Sequence, residues 1–164
     1  LETYDNVRRA SVLAMAAGAA VLVPASPAAA ASPVFVEVYA NQAYWPVKTG
    51  LSVVDTYTSS YLVYGRCRSG YGCIKVYERL INSSYAAITY NWSWGSQIYL
   101  NPQRRGYAWN LKARIVTHEG AHARGVYWHN PYCTTVMYGR VTCPNGSWPP
   151  WKFNYTEIAQ LRRY

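Results

Sequence analysis

His118-Glu119-Gly120-Ala121-His122-Ala123-Arg124-Gly125-Val126-Tyr127-Trp128-His129 contains every histidine of the 164-residue chain. On a helix, His118 and His122 stand one turn apart on the same face, so both imidazoles point at one spot. Glu119 sits on the adjacent part of that turn, where its carboxylate can approach a metal-bound water without binding the metal. Zinc lowers the pKa of such a water to about 7, and the carboxylate then takes its proton. The flanking residues agree with a helix. Asn110 to Arg124 carries apolar Leu111, Ile115 and Val116 and no proline, and Gly125 is placed to end it, because glycine accepts the left-handed C-cap conformation.

Two imidazoles leave zinc short of ligands, since catalytic sites use three protein ligands and a water. Between Gly125 and Pro131 the side chain suited to zinc is His129. Trp128 offers no lone pair, and Tyr127 and Asn130 are poor ligands. The alternative, a solvated helix face bearing histidines by accident, does not explain why all three fall between positions 118 and 129.

Outward from this centre, the chain reads as alternating strands and helices. Val34–Tyr39 is rich in β-branched and aromatic residues and is expected to be a strand. Pro46 opens a segment whose Val47, Leu51 and Val54 fit one helical face, although Gly50 interrupts it. Tyr61–Tyr64 and Ile74–Tyr77 are expected strands on either side of a cysteine loop. Ala87–Tyr90 and Gln97–Leu100 are two more, separated by turn residues from Asn91 to Ser96. Asn154-Tyr155-Thr156-Glu157 has the form of a capping box and predicts a last helix over Tyr155–Arg163. The class is α+β: strand, helix, four strands, active-site helix, irregular loop, C-terminal helix.

Before Val34, Arg8-Arg9 precede an apolar run from Ala10 to Val23 and then an alanine-rich stretch. This is the order of a secretory signal, with cleavage expected after Ala29-Ala30-Ala31, and the run falls short of the about 20 residues that span a bilayer. The expected organisation is a signal peptide at 1–31 and one catalytic domain at 32–164, with no membrane association after cleavage. Four cysteines behind an export signal argue for disulfides, and the short loops Cys67–Cys73 and Cys133–Cys143 are the natural closures. No Cys-x-x-Cys spacing supports a zinc site made of thiolates.

The formal charge is +9, and residues 1–31 contribute nothing to it because Glu2 and Asp5 cancel Arg8 and Arg9. A basic surface rich in Tyr and Trp suits an acidic protein or a cell-wall polymer, and export sets nucleic acid aside. The acidic residues beyond the signal, Glu37, Asp55, Glu78, Glu119 and Glu157, are scattered, so calcium is not indicated.

The run from His118 resembles the metzincin clan of zinc peptidases, within it the small secreted matrixin-like and snapalysin-like enzymes. Their pattern is His-Glu-x-x-His-x-x-Gly-x-x-His (or Asp), followed by a loop with a buried methionine, the Met-turn. His118, Glu119, His122 and Gly125 match in place. Three residues rather than two separate Gly125 from His129, so the resemblance requires the loop to bulge by one. Cys133-Thr134-Thr135-Val136-Met137 resembles the approach to the Met-turn, which makes Met137 an apolar floor beneath the metal. The resemblance implies a zincin-like fold: a twisted, mainly antiparallel-edged sheet, the active-site helix, the Met-turn and a C-terminal helix. It also implies that the last strand of the sheet is an edge that holds an extended peptide across the metal.

The function expected is that of a monomeric secreted zinc metalloendopeptidase. One Zn2+ is held by His118, His122 and His129, Glu119 is the general base, and the substrate is a protein or peptide. The alternative is a non-catalytic basic, aromatic-rich extracellular module that binds cell-wall glycan or protein.

Overall fold

A computed structural model describes residues 31–82, 84–150 and 152–162. The expected signal falls almost wholly outside them, as does Arg163. The elements are β1 (Pro33–Val38), α1 (Val47–Asp55), β2 (Tyr61–Tyr64), β3 (Gly72–Glu78), β4 (Ala87–Trp92), β5 (Gly95–Leu100), a 3-10 turn at Pro102–Arg104, α2 (Trp109–Ala123) and α3 (Tyr155–Leu161). The class is α+β.

The sheet order is β2-β1-β3-β5-β4. Every pair is parallel except β4 with β5, so the expected antiparallel edge is present at β4 alone, while the other edge, β2, is parallel. A tight turn forces antiparallel pairing only between β4 and β5, where Trp92 and Gly95 face each other across Ser93-Trp94. The last strand in the chain, β5, is interior, and the edge nearest α2 is β4. Because β1 lies between β2 and β3, the chain must cross β1 to join them, and Cys67–Cys73 closes that crossing.

Along β5 the buried residues are Ser96, Ile98 and Leu100, the period-2 pattern of a sheet with one covered face. Ile98 and Leu100 meet Val36, Ile74 and Val76 from neighbouring strands, Leu51 from α1, and Leu111, Ile115 and Val116 from α2. Each such side chain, fully buried, contributes about 1.5–3 kcal/mol. A second cluster lies below α2, where Ala121, Val126, Val136 and Met137 meet Val54, Phe153 and Leu161.

Gly50 interrupts the helical pattern of α1 for a packing reason. A Cβ there would lie 2.6 Å from Val116 Cβ and 2.9 Å from the Ala113 carbonyl oxygen. On the facing helix, a Cβ at Gly120 would lie 2.6 Å from Leu51 Cδ2. The two glycines let α1 and α2 touch backbone to backbone, and Thr117 Oγ1 donates to Gly50 O at 3.1 Å across the contact. That contact fixes the helix carrying the histidines.

Candidate metal centre

α2 delivers His118, Glu119 and His122 to a cleft of about 630 Å³ that β4, packed beside α2, also lines. Inward side chains of the sheet fasten the last turn of α2. Asn91 Nδ2 donates to His122 O at 3.1 Å, and Ser96 Oγ to Ala123 O at 3.1 Å. His122 O also accepts from Gly125 N at 3.0 Å, so the strands add donors to a helix end whose last carbonyls lack i+4 partners. Gly125 then takes φ 94°, which turns the chain out of the helix and back toward the cleft.

His129 reaches the other two histidines despite the extra residue. Asn130 N donates to Met137 O at 2.8 Å, tying the returning chain to the loop that carries Met137. Trp128 turns the other way and packs against the lower apolar cluster. Alternating directions of Trp128 and His129 thus absorb the added position.

The three Nε2 atoms form a near-equilateral triangle, with His118–His122 at 3.1 Å, His118–His129 at 3.2 Å and His122–His129 at 3.1 Å. These are not ordinary hydrogen bonds. His118 Nδ1 faces Val136 O at 2.8 Å and His122 Nδ1 faces Val126 O. A carbonyl accepts only, so each Nδ1 carries the proton and each of these Nε2 atoms presents a bare lone pair. Lone pairs this close repel unless a cation stands between them. Tetrahedral zinc with Zn–N of about 2.0–2.1 Å needs ligand nitrogens roughly 3.3 Å apart, so the donor set fits such an ion. His118, His122 and His129 are also the three residues among those described that could jointly hold a metal.

Electrostatics hold the triad ready. Burial, then the neighbouring His122, keeps His118 well below the ordinary histidine range. Burial lowers His122 and His129 too. Neutral imidazole is the form that binds metal. For Glu119, burial pushes the carboxyl up to about 7, against the hydrogen bond from Thr89 and the charge of Arg114. Thr89 Oγ1 donates to Glu119 Oε2 at 2.6 Å.

Met137 is 1% exposed in the lower cluster, and its loop is held from an unexpected place. Glu157 accepts from Met137 N at 2.7 Å, Val136 N at 3.2 Å and Asn154 N at 3.0 Å. The last bond belongs to the capping box of α3, which the sequence pattern indicates; the first two have no local signal. Cys133–Cys143 closes the same loop. No pattern in the sequence singles out Thr89 or Asn91. Each acts on a group of α2 about thirty positions away in the chain, Thr89 on Glu119 and Asn91 on the His122 carbonyl, which sequence alone does not bring near.

Neither a family model nor a curated protein matches the chain.

Proposed function

We propose that the chain is a secreted zinc-dependent endopeptidase of the metzincin type, with Glu119 as general base. The observation that carries this reading is the convergence of three histidine Nε2 atoms, two of them with bare lone pairs, beside a buried carboxylate on the same helix turn. A bound zinc ion supplies Lewis acidity toward a peptide carbonyl and a water that ionises near neutral pH. The chain supplies the rest. Glu119, poised near neutrality by burial, accepts a proton and returns it to the departing amine. Thr89 occupies Oε2 and so orients the carboxylate, leaving Oε1 for the transfer.

β4 borders the same cleft through Ala87, Ile88, Thr89 and Asn91, and as an edge strand it has one row of free backbone groups. An extended peptide laid against that row passes the histidines. Met137 serves as the apolar floor of the site. Two disulfides, with no helix among the described residues long and apolar enough to cross a membrane, fit an extracellular domain.

The test is casein hydrolysis by the zinc-loaded chain, abolished by a chelator and restored by zinc. Glu119→Gln should keep zinc and lose activity by about 10²–10⁴-fold or more. A Glu119→Gln protein that still cleaves at near wild-type rate sinks the reading.

One observation favours the second reading, a non-catalytic binding module. Tyr39, Tyr77, Tyr99, Tyr90, Trp92 and Trp94 form an unbroken series of ring contacts on the sheet face turned away from α1 and α2. Retention on cell-wall glycan without any hydrolysis identifies that case.

A further inference from the structure

Arg114 stands one helical turn before His118 on the cleft side of α2, is only 3% exposed and lines the cleft. Its Nη2 donates to Val136 O at 3.2 Å and Tyr138 O at 2.5 Å, while its buried Nε has no partner. Among the described residues no carboxylate lies within ion-pair distance of it; the ion pair formed is Arg105 with Glu78, elsewhere. The two acids whose charges reach it are otherwise engaged, Glu119 with Thr89 and Glu157 with three backbone N–H groups. Arg140, which is exposed, lines the same cleft, and Glu119 is the sole carboxylate on its described walls. A guanidinium taken out of water without a counter-ion is costly, and its planar fork matches a carboxylate. The missing anion is one that a ligand can bring.

We propose that the cleft selects peptides with an aspartate or glutamate next to the bond that is cut, the carboxylate being received by Arg114 in the wall and Arg140 beside it. This specificity rests on the peptidase reading for what occupies the cleft. It agrees with a basic chain whose few acids are largely used internally. An apolar side chain in the same place leaves Arg114 buried and uncompensated, and a lysine is repelled.

The decisive experiment compares fluorogenic peptides that differ only in Glu, Gln, Leu or Lys at each position flanking the cut, using the zinc-loaded chain. Glu is expected to exceed Gln in kcat/KM by about tenfold or more, the ratio that one charge-assisted hydrogen bond gives. Arg140→Gln should lower the Glu/Gln ratio severalfold. Arg114→Met should abolish it, and Arg114→Lys should retain part of it. Should Arg114→Met fail to fold for want of its bonds to the loop carbonyls, the Lys and Arg140 variants still decide. Cleavage with no preference for Glu over Gln overturns the inference and leaves the peptidase reading standing. If no peptide is cleaved, the peptidase reading falls, and binding to the zinc-free protein decides the rest. N-acetylglutamate amide should perturb the NMR signals of Arg114 and Arg140 while the glutamine analogue does not; equal effects, or none, overturn the inference.

Discussion

Glu157 Oε1 holds the backbone N–H of Met137 at 2.7 Å, from a helix that begins eighteen positions later in the chain. Its other oxygen holds Val136 N, and the carbonyl of the same Val136 accepts from His118 Nδ1. One residue therefore links the carboxylate of α3 to the first histidine. Glu157→Gln keeps the size but turns an amide N–H toward backbone N–H groups. We expect a loss of about 2–4 kcal/mol in urea unfolding, the cost of breaking a buried charge-assisted network. Zinc affinity should fall roughly 10–100-fold, as for other outer contacts of a metal site, read by chelator competition. Unchanged zinc affinity in a destabilised variant would show that the loop matters for folding alone.

His129→Ala is expected to weaken zinc binding by more than the roughly 100-fold ceiling of such outer contacts. Trp128→Phe keeps an aromatic ring in the lower cluster and should retain the affinity. Competition with a coloured chelator measures both. Equal affinity in His129→Ala and wild type would place the third ligand elsewhere.

Thr89→Val removes the hydrogen bond that holds Glu119 in its ionised form. Burial already raises the carboxyl to about 7, and without Thr89 it rises further. In the proposed reaction Glu119 must be ionised, so activity should now be lost at a higher pH than in wild type as the solution is acidified. The acid limb of kcat/KM against pH therefore moves upward. An unmoved limb would mean that another group sets it.

Gly50→Ala tests the helix contact. Alanine favours the helix by about 1 kcal/mol, but the new methyl meets the Val116 stem and the Ala113 carbonyl at under 3 Å. Overpacking of this kind costs about 1–3 kcal/mol or more, so the net change should be destabilising in thermal or urea unfolding. A stabilised variant would show that α1 and α2 separate easily.

The helices and strands were legible because their signals are local. β2 spans the expected Tyr61–Tyr64, α2 lies within one residue of the expected bounds at each end, and the capping box of α3 is present in full. Both disulfides follow from loop length. The sheet was not legible in the same way. Strand order and direction depend on partners distant in sequence, and nothing within β2 or β3 says that β1 lies between them. At the site, the histidines could be read from helical spacing and ligand chemistry, whereas the place of Trp128 in the lower apolar cluster could not. Arg114, Thr89 and the reach of Glu157 could not, because each acts across the fold on a group that sequence does not bring near.

The position of Glu157 also fixes an order of assembly. A chain emerging N-terminus first can pack its sheet and α2 before α3 exists, and both helix histidines are then already in place. Val136 and Met137 lack their anchor until Asn154–Glu157 has been made and has docked. A chain interrupted ahead of α3 therefore carries all three histidines without the contacts that hold Val136 and Met137 beside them.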